Sequence, residues 1–150
     1  APLREAHFNE MGSTRSVETE RWKYVALRYR RADLAAMRDG RWDALPNHLG
    51  RAGADAACLY HAGYYDADQL YEIQQDRGES INLAHNPAYA GVLADLKARL
   101  RRHLATFDHP FPEEPDPFQA SDAFRALADR SRALARDTTG PDSVFGRRYW

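Results

Sequence analysis

At 150 residues the chain has room for one domain with a modest core, and about two thirds of the surface of its unfolded form is expected to be buried on folding. Lys+Arg 21 against Asp+Glu 22 leaves a formal net charge of -1, so no long-range field draws in nucleic acid or an anionic membrane. No apolar run reaches the roughly 20 residues of a membrane span, the amino terminus carries no secretory signal pattern, and a single cysteine, Cys58, excludes an internal disulfide.

In chain order, residues 4–10 read as a strand, Gly12-Ser13 as a turn, and Thr14 to Glu20 as a second strand. A tight connection at Glu20-Arg21 leads into Trp22 to Tyr29. There Trp22, Tyr24, Ala26 and Arg28 point one way, and Lys23, Val25, Leu27 and Tyr29 the other. Both faces carry apolar bulk, as a central strand requires. Residues 30–67 break the alternation and read as an irregular insertion, with short helical stretches at Ala32 to Met37 and Ala54 to His61. Alternation returns in Gln69 to Ile73, with Leu70 and Glu72 on one face and Tyr71 and Ile73 on the other.

Asn86-Pro87 caps a long helix, in which Val92, Leu93, Leu96, Leu100 and Leu104 recur at three- and four-residue spacing out to Phe107. The five aliphatic side chains are expected to pack on the sheet. The fold class is therefore α+β: an antiparallel sheet of about four strands, a long helix packed on it, and a C-terminal helical arm. Residues 108–120 form a proline-rich linker or wrapping arm, with four prolines between Asp108 and Pro117. Ser121-Asp122 opens a second helix to about Arg136, with Phe124, Leu127 and Leu134 as its apolar stripe, and residues 121–150 end in an aromatic tail.

Two motifs carry a family resemblance. Arg15, Val17, Thr19, Lys23 and Tyr24 fit a hairpin of the type Arg-x-Val-Arg-Thr-x-x-x-Lys-Tyr-Ile, with Glu18 standing where a second arginine is common. Leu70, Tyr71, Asp76, Glu79, Asn82, Leu83 and Ala84 fit Glu-Leu-Tyr-Asp-Leu-x-x-Asp-Pro-x-Glu-x-x-Asn-Leu-Ala, with Arg77 in place of the proline. In this order and spacing, residues 1–107 resemble the smaller carboxyl-terminal subdomain of sulfatases. The resemblance implies a parent enzyme that uses a formylglycine and calcium in a larger amino-terminal catalytic domain. It also implies that this chain alone is inactive, because no Cys-x-Pro-x-Arg or Ser-x-Pro-x-Arg occurs in it, and that its partner is that catalytic domain.

The residues themselves suggest structural roles first. Asp76, Glu79 and Asn82 are placed to bond turn and helix-start amides, and Arg15 and Lys23 to pair with Glu10, Glu18 or Glu20. Asp66, Asp68, Glu113 and Glu114 read as solvated charges. Cys58 reads as a small apolar side chain. The six histidines show neither helical i, i+4 pairs nor compact zinc spacing, so no metal ligand is assigned. The one candidate substrate-contacting set is Asn47, His48, His61 and Tyr64 in the polar, aromatic insertion. The alternative to a sulfatase subdomain is a stand-alone binding or oligomerisation module that associates with copies of itself.

Overall fold

A computed structural model describes residues 5–39 and 63–139. Strands β1 (His7–Met11), β2 (Thr14–Glu18), β3 (Trp22–Leu27) and β4 (Asp68–Glu72) form one antiparallel sheet in the order β1-β2-β3-β4. The four strands fall in the expected runs, but β1 begins at His7, three residues late, and β2 and β3 each end two residues early, at Glu18 and Leu27. The α+β class holds: a long helix, Ala90–Leu104, packs against β2 and β3.

The β1–β2 loop has two residues. Gly12 takes a φ of 53°, and only this first loop position is left-handed among the pair, the pattern of a II′ hairpin, whose twist matches that of the strands. Thr14 Oγ1 closes the loop by donating to the Met11 carbonyl at 2.7 Å. At the next connection the Trp22 amide donates to Thr19 Oγ1 at 3.0 Å, and the Thr19 amide to the Trp22 carbonyl at 2.8 Å.

Register aligns Phe8, Val17, Tyr24 and Leu70 in one row across the four strands. Val17, Tyr24, Ala26 and Leu70 are buried with Leu96 and Leu100 of the long helix, and this is the core. Of the five aliphatic side chains expected to be buried from that helix, only Leu96 and Leu100 are; Val92, Leu93 and Leu104 lie half-buried at its flanks. The two buried leucines each contribute about 1.5–3 kcal/mol before chain entropy is subtracted.

The chain divides into two compact units, each built from separate stretches: Ala1–Arg28 with Asp66–Pro115, and Tyr29–Tyr65 with Asp116–Trp150. The first holds the sheet and the long helix. Asn86 Oδ1 accepts the Ala88 amide at 3.0 Å and Pro87 opens a short 3-10 turn, Pro87–Tyr89, from which the α-helix continues. The helix stops at Leu104, short of Phe107, because Thr106 bonds back to the His103 carbonyl through both its amide (3.1 Å) and its hydroxyl (2.7 Å). The proline-rich stretch then folds back over its own unit. Phe111 packs against the core, and the Arg15 guanidinium lies 5.0 Å from the centre of its ring.

In the second unit, α1 (Arg31–Arg38) buries Leu34, Ala36 and Met37. The long helix Ala90–Leu104 is α2 and the helix Asp122–Thr139 is α3. The Phe124 amide donates to Ser121 Oγ at 3.2 Å, the expected cap. Phe124 and Ala128 are buried and Leu127 is half-buried, while the Leu134 side chain lies outside the described set. Tyr29 and Phe118 each place a ring 5.8 Å from that of Phe124, and Arg38 pairs with Asp116 at 2.7 Å.

Candidate functional site

Of the expected substrate-contacting residues, Asn47, His48 and His61 lie outside the described residues, as do the helical turn at Ala54 to His61, Cys58 and the aromatic tail. Tyr64 is described: it is half-buried and meets Tyr65 edge-to-face at 5.0 Å.

The polar chemistry that the structure does assemble lies at the start of β4. Asp68 is not a solvated charge. Its Oδ1 accepts Tyr24 Oη at 2.7 Å and an Arg28 guanidinium nitrogen at 2.8 Å, and its Oδ2 accepts Lys97 Nζ at 2.7 Å. Burial alone would raise its pKa; the hydrogen bonds from Lys97, Arg28 and Tyr24, with the charge of Arg28, outweigh burial and hold the carboxyl below its ordinary value. The same environment pushes the Tyr24 phenol upward, by burial first and then by the Asp68 charge, so Tyr24 remains a donor.

Arg28 is the most enclosed cation of this group, with its side chain 1% exposed. Besides Asp68 it donates to the Leu27 carbonyl at 3.0 Å, to the Ala67 carbonyl, and to the Glu113 carbonyl at 2.8 Å. Its Nε is buried without a hydrogen-bond acceptor among the described residues. Asp66, also expected to be solvated, instead accepts the Asn82 amide nitrogen at 2.8 Å.

The residues of the second motif make the adjoining structure. Asn82 Oδ1 accepts the amides of Leu70 (2.9 Å) and Ala84 (3.0 Å), and its Nδ2 reaches the Asp68 carbonyl at 3.1 Å as well as Asp66. Together with the Leu83 amide on the Leu70 carbonyl at 2.8 Å, this covers the outer edge of β4. Asp76 Oδ2 accepts the amides of Ser80 and Ile81, each at 2.8 Å, the capped turn that its residue type suggests. Glu79 has a different role from the expected one. It sits at a φ of 51°, uncommon for a residue with a side chain, and accepts Lys23 Nζ at 2.6 Å, so Lys23 reaches across to the turn and not to Glu18 or Glu20. Arg15 does pair with Glu10, at 3.4 Å.

Beside the Asp68 network lies an open groove of about 290 Å³, between α2, β3 and the proline-rich stretch. Ala26, Leu100, Leu104 and Phe111 supply apolar walls, and Lys97, Arg101, His109 and Glu113 the polar ones. Arg101 spans to Glu113 at 2.9 Å, both of them well exposed. His103, on the same helix, stacks on Phe8 with ring centres 4.0 Å apart, a packing role. Among the described residues no three His, Cys, Asp or Glu side chains converge on a metal-sized site, and no helix is long and apolar enough to cross a membrane.

Sequence reasoning missed Lys97 and Arg101 as groove residues and Asp68 as a hub. The one signal available was Arg28, which shares the core-facing side of its strand with Tyr24 and Ala26 and so needs an anion close by. No protein-family model matches the chain, and no curated protein matches it.

Proposed function

We propose that the chain is the non-catalytic carboxyl-terminal subdomain of a sulfatase-type hydrolase, acting beside a larger domain that carries the formylglycine nucleophile and its calcium. The observation that supports this reading is the meeting of the two quoted motifs in one unit. Val17, Tyr24 and Leu70 are neighbours in one cross-strand row, Lys23 is bound to Glu79, and Asn82 is bound to the backbone of Leu70. Motif residues up to 56 positions apart thus support one another, as the parts of a single inherited scaffold should. In this reading the unit buttresses the catalytic domain, and Asn47, His48, His61 and Tyr64 of the insertion supply contacts that select substrate.

The test is the reading frame upstream of the codon for Ala1, combined with an assay of the purified chain on an aryl sulfate. An in-frame Cys-x-Pro-x-Arg or Ser-x-Pro-x-Arg and an inert purified chain are the expected results. Turnover that survives removal of contaminating enzyme overturns the non-catalytic role. A start codon directly ahead of Ala1 favours the second reading, a free-standing binding or self-associating module, to which the groove beside Asp68 lends support.

A further inference from the structure

We infer that the groove beside Asp68 is a binding site for a small aromatic carboxylate. Its size comes first: about 290 Å³ lies at the lower end of the range for ligand pockets and suits a molecule of one or two rings, not a peptide. Its lining is divided. Leu104, Phe107 and Phe111 offer an apolar and aromatic wall, with Phe107 46% exposed at the rim. Lys97 and Arg101 stand one helical turn apart on α2, which puts their side chains on the same face.

Among the described residues both cations keep unused donors. Lys97 has three N–H groups and gives one to Asp68, and Arg101 has five and gives one to the Glu113 carboxylate. The guanidinium fork matches a carboxylate in two-point fashion, so Glu113 already occupies Arg101 with the chemistry that a ligand would bring. That pair is exposed and weak, and an incoming carboxylate can displace it. A cationic ligand offers no acceptor to these remaining N–H groups, and a neutral ring would leave them unused. The proposal is independent of the sulfatase reading, and its failure would leave that reading untouched.

The experiment is amide NMR titration of the full chain with naphthoate, beside naphthylmethanol as the neutral ring and acetate as the headgroup alone. Naphthoate should shift amides within residues 97–113 saturably, naphthylmethanol should bind about tenfold more weakly, the difference expected for one charge-assisted contact, and acetate should not saturate. Arg101→Gln should weaken naphthoate binding by about threefold to tenfold, and Glu113→Gln should strengthen it, because the internal competitor loses its charge. Both side chains are exposed, so the fold persists in each variant. Equal binding of the neutral ring, shifts centred elsewhere, or Glu113→Gln binding that is unchanged or weaker would each overturn the assignment.

Discussion

Lys97 Nζ donates to Asp68 Oδ2 at 2.7 Å, and this bond ties the middle of α2 to the first residue of β4. Because Asp68 also holds Tyr24 and Arg28, one carboxylate joins two strands and a helix. Asp68→Asn keeps the shape and removes the charge, leaving the guanidinium of Arg28 enclosed without its anion. A loss of about 3–5 kcal/mol is expected, read as a lower urea midpoint at unchanged slope. Lys97→Met should cost less, since Arg28 and Tyr24 still satisfy Asp68.

Acid should act through the same carboxyl. Its folded pKa lies below the unfolded value of about 3.9, so its contribution is present above that value and is lost as pH falls through the folded one. Stability measured by urea melts should therefore decline from about pH 5 downward, and Asp68→Asn should flatten that decline.

Alkali should act through two tyrosines. Tyr24 and Tyr71 are both raised, each by burial first, with the charge of Asp68 adding for Tyr24 and those of Glu79, Asp66 and Asp76 for Tyr71. Their stabilisation is complete below the unfolded value of about 10 and is lost as pH climbs toward the folded ones. Tyrosinate absorbance should show two phenols that ionise only as the near-ultraviolet dichroism of the fold disappears.

Asn82→Ala should remove four hydrogen bonds at once and leave the Leu70 amide at the strand edge without its acceptor. At roughly 0.5–1.5 kcal/mol for each bond the sum is about 2–6 kcal/mol. Asn82→Asp keeps the two acceptor contacts but sets its charge against Asp66, so hydrogen exchange at Leu70 should remain slower than in Asn82→Ala.

Gly12→Ala places a Cβ on a left-handed residue in the tightest turn of the sheet. A cost of about 1–2 kcal/mol is expected, visible in a thermal melt, with Gly12→Asn milder because a short polar side chain tolerates that conformation.

The sheet was legible because alternation over Trp22 to Leu27 and Gln69 to Glu72 reports directly on which side of a strand is buried. The cap at Asn86 and the turn bonds of Asp76 were legible for a related reason: their partners lie within five residues. The Asp68 hub was not, because its three donors stand 29, 40 and 44 positions away. A charged residue opening a strand looks solvated until folding brings those donors to it. Periodicity likewise marked five apolar positions on α2 but not how far the sheet reaches beneath them, and only Leu96 and Leu100 lie over its centre. The groove is harder still to foresee, since one wall comes from a proline-rich stretch with no period at all.

The carbonyl of Glu113 sets where this chain can be shortened. A fragment ended at the last turn of α2 would keep every strand, yet it would strip Phe111 from the core and take from Arg28 one of its acceptors, leaving that nitrogen with Asp68 alone. A boundary placed after Pro115 retains both contacts of the first unit but takes Asp116 and Phe124 from Arg38 and Tyr29 in the second. The proline-rich stretch is thus part of what closes the core of the first unit.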